Sequence, residues 1–191
     1  MPRPTCPTCQ RPRKVCYCGA LVEVANRIEV LIIQHPLEQK HPFNTGRMAH
    51  LCLKNSRLVV AETLRDAELA QLLKPASALL YPSLDWLPEV AQVEPGTPQA
   101  RALQQLVVID ANWRKSKKML HLHPLLQHLP RVSFEGELSS NYQIRHSSLP
   151  NSLSTLESIV AAMQQLEPEH NFQTLLQPFE KMISLQVASK N

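Results

Sequence analysis

The sequence predicts an α/β domain built on a mostly parallel sheet, and two observations carry that expectation. Short runs such as Val30-Leu-Ile-Ile33 and Leu106-Val-Val-Ile109 are apolar without polar alternation, as strands covered on both faces must be. These runs alternate along the chain with segments whose apolar residues recur at three- and four-residue spacing, the pattern of successive βα units. At 191 residues the chain is long enough for one domain with a substantial core, and a division into two self-supporting domains is not expected.

Residues 1–22 are rich in Cys, Pro and Arg and show no hydrophobic periodicity, which sets them apart as a small N-terminal segment before a domain over 23–191. Something other than a core must order that segment. Cys6, Cys9, Cys16 and Cys18 supply four thiolates within thirteen residues, the number that a closed tetrahedral zinc site needs. In a reducing compartment such crowding points to a metal rather than to disulfides. A single residue separates Cys16 from Cys18, so a site using three of the thiolates stays open. The fifth cysteine, Cys52, falls on an apolar helix face and reads as core.

Along the domain, a buried strand is predicted over 28–34, then a loop with Pro36 and Pro42, then a helix from about 45 to 55 with Met48, Leu51 and Cys52 on its buried side. Shorter strands are predicted over 58–61 and 78–81, the second stopped by Pro82. A polar, Pro-rich stretch over 94–101 leads into the strand that begins at Leu106. A helix over 115–129, interrupted at Pro124, and a brief strand over 131–134 follow. Leu153, Leu156, Ile159, Val160, Met163 and Leu166 mark one face of a helix; Phe172, Leu175, Leu176, Phe179 and Ile183 mark another, bent at Pro178.

Charge is unevenly placed. Arg3, Arg11, Arg13 and Lys14 precede the first acid, Glu23, and once these four are set aside the 20 basic and 16 acidic residues balance. A basic tip on a neutral body favours a polyanionic partner such as nucleic acid. No N-terminal apolar stretch resembles a signal peptide and no apolar run is long enough to span a bilayer, so a cytoplasmic protein with no membrane partner is expected. With 4 glycines, neither a P-loop nor a dinucleotide fingerprint can be written, which disfavours nicotinamide chemistry. A Gly-x-Ser-x-Gly elbow is also missing.

The stretch from Leu106 to Leu120 concentrates the chemistry. An apolar run ends in Asp110, and Asn112, Trp113 and the basic residues Arg114, Lys115, Lys117 and Lys118 follow at a helix start. In open α/β sheets ligands collect where such strands stop. The alternative is that Asp110 caps the following helix while Trp113 packs beneath it. The basic run is either a phosphate contact or a solvated face. Asn44-Thr45-Gly46-Arg47 opens another helix, where free amides, a small Gly46 and the Arg47 fork suit an anion, or where Asn44 or Thr45 simply caps. His35 and Glu38, just after a strand, fit either a site or a turn. Ser154-Thr155-Leu156-Glu157 fits a capping box. Tyr142 and Arg145 suit stacking on and clamping a nucleotide, or ordinary surface packing.

These blocks in this order resemble the DTW-domain family, named for an Asp-x-Thr-Trp element followed by a basic run. Here the element reads Asp110-Ala111-Asn112-Trp113, with Asn112 where the family usually has Thr. His35-Pro36-Leu37-Glu38 with Asn44–Arg47, Ser140 to Arg145, Leu153 to Glu157 and the four cysteines also match, so the resemblance runs from about residue 6 to about residue 166. It implies a SPOUT-like α/β fold whose C-terminal part threads into a trefoil knot. It further implies transfer of a 3-amino-3-carboxypropyl group from S-adenosylmethionine to N3 of a variable-loop uridine in tRNA. Asp110, Trp113, Ser154, Thr155 and Glu157 would carry the reaction, and Ile109, Asp110, Asn112, Ser154 and Thr155 would hold the cofactor. Arg47, Arg114, Lys115, Lys117, Lys118, Tyr142 and Arg145 would hold the tRNA. Competing expectations are methyl transfer to RNA from the same cofactor and a zinc-bearing RNA-binding protein without catalysis.

Overall fold

The computed structural model describes residues 4–133 and 153–188. Five strands form one sheet: β1 (Glu29–Gln34), β2 (Ser56–Val60), β3 (Ser77–Leu80), β4 (Gln105–Asp110) and β5 (Arg131–Val132), ordered β2-β1-β4-β3-β5. Every pairing between these strands is parallel. The central pair, β1 and β4, is buried along its full length, which is why neither strand shows polar alternation in sequence.

Side chains alternate across the pleat and so divide the core in two. Val30 and Ile32 of β1 and Leu106 and Val108 of β4 face α1 (Thr45–Cys52), α6 (Thr155–Leu166) and α7 (Gln177–Ala188), through Met48, Ala49, Leu156, Ile159, Val160, Phe179 and Met182. Leu31, Ile33, Val107 and Ile109 point the other way, towards α2 (Asp66–Leu72), α4 (Trp113–Leu122) and α5 (Pro124–Gln127), through Leu69, Met119, Leu120 and Leu126. The result is an α/β/α sandwich. Glu167, just past α6, joins its layer to the sheet by accepting the N–H groups of Arg27 and Ile28 at 2.9 and 2.6 Å.

Several boundaries differ from expectation for local reasons. α1 stops at Cys52 because Leu53 is already extended and Ser56 enters β2. α4 starts two residues early, at Trp113, because Asn112 caps it. The polar stretch before β4 contains a short helix, α3 (Pro98–Ala102), whose start combines a Thr97 cap with a proline in the first turn. α2 was not foreseen: of its residues only Leu69 is buried. The predicted bend near Pro178 is a change of helix type, from a 3-10 turn over Phe172–Leu176 to α7, with Pro178 in the first turn where its missing N–H costs nothing.

The Cys-rich segment packs on the rest of the domain. Cys9 and Tyr17 are buried in the core shared with α1, α6 and α7, and Cys6, Cys16, Cys18, Leu21 and Val22 pack against it. Among the described residues no helix is long and apolar enough to cross a membrane.

Candidate active site

The chain leaves β1 through α1 to reach β2 on one side, and leaves β4 through α4 and α5 to reach β5 on the other. Connections that diverge from adjacent parallel strands open a crevice at the carboxyl edge between them. Gln34 and Asp110 are the last residues of these two strands and are direct partners in the ladder. Since residues 30, 32 and 34 share a face, as do 106, 108 and 110, both polar side chains turn towards α1 and α6.

Asp110 is 6% exposed. Its Oδ1 accepts the Thr155 hydroxyl at 2.5 Å and its Oδ2 accepts the Gln34 amide at 2.6 Å. The same Gln34 nitrogen donates to Asn44 Oδ1 at 2.7 Å, and that oxygen accepts the N–H of Arg47, capping α1. A side chain at position 46 has no room here, because a Cβ on Gly46 would lie 2.3 Å from Asp110 Oδ2. The Asp110 carboxylate therefore lies against the opening turn of α1. Burial pushes the Asp110 carboxyl above its ordinary 3.8, against the downward pull of Thr155 and Gln34. A carboxyl of this kind keeps an affinity for protons that an exposed one lacks.

At the entrance of α6, Ser154 and Glu157 form the predicted capping box. Glu157 Oε2 accepts the Ser154 N–H at 2.8 Å and its hydroxyl at 2.7 Å. Thr155, between them, is the residue that reaches Asp110. At the start of α4 the cap is Asn112, which accepts the Lys115 N–H at 3.0 Å, so Asp110 is not the cap. Nor does Trp113 pack beneath the helix. It is 51% exposed and meets Tyr81 edge-on at 5.6 Å, while Tyr81 bonds Ser116 at 2.9 Å. An indole braced at one edge with half its surface open can stack on a base. The side chain of Ile109 lies in the opposite core, against α4.

Half of the basic run is neutralised. Lys115 pairs with Glu38 at 3.0 Å and Lys118 with Glu62 at 2.7 Å, and Glu62 also lies 3.7 Å from His35. Arg114 and Lys117 are exposed and have no carboxylate partner among the described residues. Arg47 is partly buried with its Nε unpaired. Tyr142 and Arg145 lie outside the described residues. Sequence reasoning missed Gln34, Glu62 and Tyr81. Only Gln34 carried a signal, as the polar residue ending an apolar run in the way Asp110 does.

Away from the crevice, the four N-terminal sulfurs lie within 4.8 Å of one another, with 3.6 Å from Cys6 to Cys18 and from Cys9 to Cys16. A zinc–sulfur bond of about 2.3 Å gives a tetrahedron with an edge near 3.8 Å, so the cage has the right size. The N–H groups of Cys9 and Thr8 bring the Cys6 thiol down to about 6, while burial pushes Cys9 and Cys18 up. None of the five cysteines is in a disulfide. The cluster can hold one metal ion.

The sequence profile described as "DTW domain" matches residues 3–187. The chain belongs to the DTW domain family. The relatives of this DTW domain include tRNA-uridine aminocarboxypropyltransferase 2 of Macaca fascicularis, 31% identical over 97% of the chain and 64% of the relative. The enzyme of the same name from Drosophila melanogaster is also 31% identical, over 97% of the chain and 76% of the relative. tRNA-uridine aminocarboxypropyltransferase A of Arabidopsis thaliana is 23% identical over 87% and 74%. The DTW domain chain thus spans under two thirds of the macaque relative and about three quarters of the fly one. No solved structure matches it.

Proposed function

We propose that the chain is a tRNA-uridine aminocarboxypropyltransferase. It moves the 3-amino-3-carboxypropyl group of S-adenosylmethionine to N3 of a variable-loop uridine. The bond from sulfur to the terminal propyl carbon breaks, a bond from N3 to that carbon forms, the N3 proton leaves, and 5′-methylthioadenosine departs. The observation that carries this reading is the buried Asp110–Thr155–Gln34 network at the switch point, in a chain aligned almost end to end with relatives of that name. The sulfonium is already a good leaving group, so the protein's task is to orient the base, select one carbon beside sulfur and accept the N3 proton.

In this reading Asp110 orients the crevice or takes the proton, and Trp113 stacks on the base. Thr155, Ser154 and Glu157 form the wall where cofactor and base meet. Ile109 and Asn112 contribute backbone to the cofactor's surroundings, and Arg47, Arg114 and Lys117 meet tRNA phosphates, joined by Tyr142 and Arg145. Zinc in the Cys6, Cys9, Cys16 and Cys18 cage is structural. The SPOUT-like trefoil knot belongs to the same reading, as does the cytoplasm, where tRNA and reduced thiols coexist.

The test is mass spectrometry of unmodified tRNA incubated with the protein and S-adenosylmethionine. A uridine heavier by the aminocarboxypropyl group, together with 5′-methylthioadenosine, is expected. A methylated uridine with S-adenosylhomocysteine would overturn the reaction, and no turnover would leave an RNA-binding protein.

A further inference from the structure

A second opening lies beside the crevice, between the Cys-rich segment and the loop that follows β1. It encloses about 390 Å³, and Arg11, Tyr17, Lys40, His41 and Asn44 are among its walls. Arg11 is 8% exposed, an unusual place for a guanidinium. Among the described residues its guanidinium makes one hydrogen bond, from Nη1 to the Pro42 carbonyl at 2.5 Å, and its Nε has no partner. Among the described residues just two buried side-chain polar atoms lack a partner, this Nε and that of Arg47. Across the opening, Lys40 and His41 are exposed, and no residue lining it is acidic.

The thiolate cage of Cys9 is a negative neighbour at one wall, but no acceptor meets the Arg11 Nε, and a buried guanidinium with an unpaired N–H is costly unless a ligand supplies the acceptor. We propose that this cleft binds a backbone phosphate of the RNA substrate. A phosphodiester presents two anionic oxygens to the planar fork of Arg11, with Lys40 beside it as a point charge. The volume exceeds what a lone carboxylate fills. Asn44 lines the cleft and also bonds Gln34, which bonds Asp110, so a phosphate held here belongs to a nucleotide near the reacting base. Arg114 and Lys117 lie on α4, over the other face of the sheet, and make a separate contact. The assignment rests on the RNA substrate of the proposed function.

The experiment measures tRNA affinity against salt for the zinc-loaded full chain and for Lys40→Glu and Arg11→Gln, with zinc content and thermal midpoint recorded for each. Each variant should bind tRNA several-fold more weakly, and each should reduce the slope of log K against log salt by about 1. If Arg11→Gln loses its fold, the exposed Lys40→Glu decides. Unchanged affinity and slope in folded Lys40→Glu would overturn the cleft. So would inorganic phosphate binding that Arg11→Gln abolishes while the tRNA slope stays constant, because the cleft would then hold a free anion. Wild-type transfer with variants of unchanged slope sinks the cleft and leaves the activity standing. RNA affinity lost in the variants of a protein that transfers no group sinks the activity and leaves the cleft.

Discussion

Replacing Gly46 by alanine sets two effects of opposite sign against each other. Helix propensity favours alanine by about 1 kcal/mol in a helix interior, so a position in α1 judged by propensity alone should be stabilised. The structure says otherwise. The new Cβ would lie 2.3 Å from Asp110 Oδ2 and 2.7 Å from its Cγ, so the carboxylate must retreat by roughly 1 Å to reach ordinary contact distance. It cannot retreat while keeping the bonds at 2.5 Å to Thr155 and 2.6 Å to Gln34. Hydrogen bonds to a charged group contribute about 1.5–3 kcal/mol each. Losing one to both of them and regaining the propensity leaves a net destabilisation of about 0.5–5 kcal/mol. Urea denaturation should show the midpoint falling at constant slope, and aminocarboxypropyl transfer should drop with it. In an Asp110→Ala background the obstruction is gone, so the same substitution should be neutral or stabilising, and the difference is the coupling energy. A Gly46→Ala protein more stable than wild type would show that the contact between α1 and Asp110 is not as drawn.

Other outcomes follow from the same contacts. Purified protein should hold about one zinc per chain, and Cys9→Ser should lose it and also lower the thermal midpoint of the whole domain, since Cys9 and Tyr17 belong to the main core; elemental analysis and calorimetry check this. Reversing the charges of Arg114 and Lys117 should weaken tRNA binding and flatten its salt dependence more than reversing Lys118, which is paired with Glu62; filter binding across a salt series decides it. Asn112→Thr exchanges one N-cap for another, so the unfolding free energy should change by about 0.5 kcal/mol or less and transfer should persist. Glu29 is penalised by burial, yet bonds from Gln105, Lys74 and Arg57 outweigh that and hold its carboxyl below the usual 4.5. Its contribution is full above 4.5 and is lost as pH falls through the lower folded value, so Glu29→Gln should flatten the acid side of the stability profile measured by denaturant titration.

The strands were legible because a doubly covered strand leaves a local mark: an apolar run of fixed length with a polar end. Asp110 could be found that way. What it touches could not, because its partners Gln34 and Thr155 are 76 and 45 residues away and are brought together by strand order and register. The capping box at Ser154 and the cap at Asn44 were readable since each closes within three residues, whereas the cap of α4, expected at Asp110, is Asn112. The partners of the basic run after Trp113 were hidden for a related reason: sequence shows four cations, and Glu38 and Glu62, from distant loops, pair with two of them. α2 and α3 are short and bury one residue each, Leu69 and Ala100, so periodicity had nothing to register. The cysteine spacing announced a cluster able to hold a metal; that the cluster would share the domain's core was not written in any local pattern.

The arrangement around Asp110 bears on its role in the proposed reaction. Each carboxylate oxygen already accepts one hydrogen bond, so neither oxygen of Asp110 is free of a donor at rest. The two donors are not equivalent. The Gln34 amide is held at both ends, by Asp110 and by Asn44, and turning it would put its oxygen against the Asn44 oxygen that caps α1. The Thr155 hydroxyl has one acceptor and rotates about a single bond. Of the two contacts, the Thr155 side is therefore the one that can open when a uridine N3–H arrives, leaving the carboxylate fixed by Gln34. Burial raises the affinity of that carboxylate for a proton. An Asp that orients the crevice at rest and accepts a proton only when the base displaces Thr155 satisfies the buried geometry and the chemistry together.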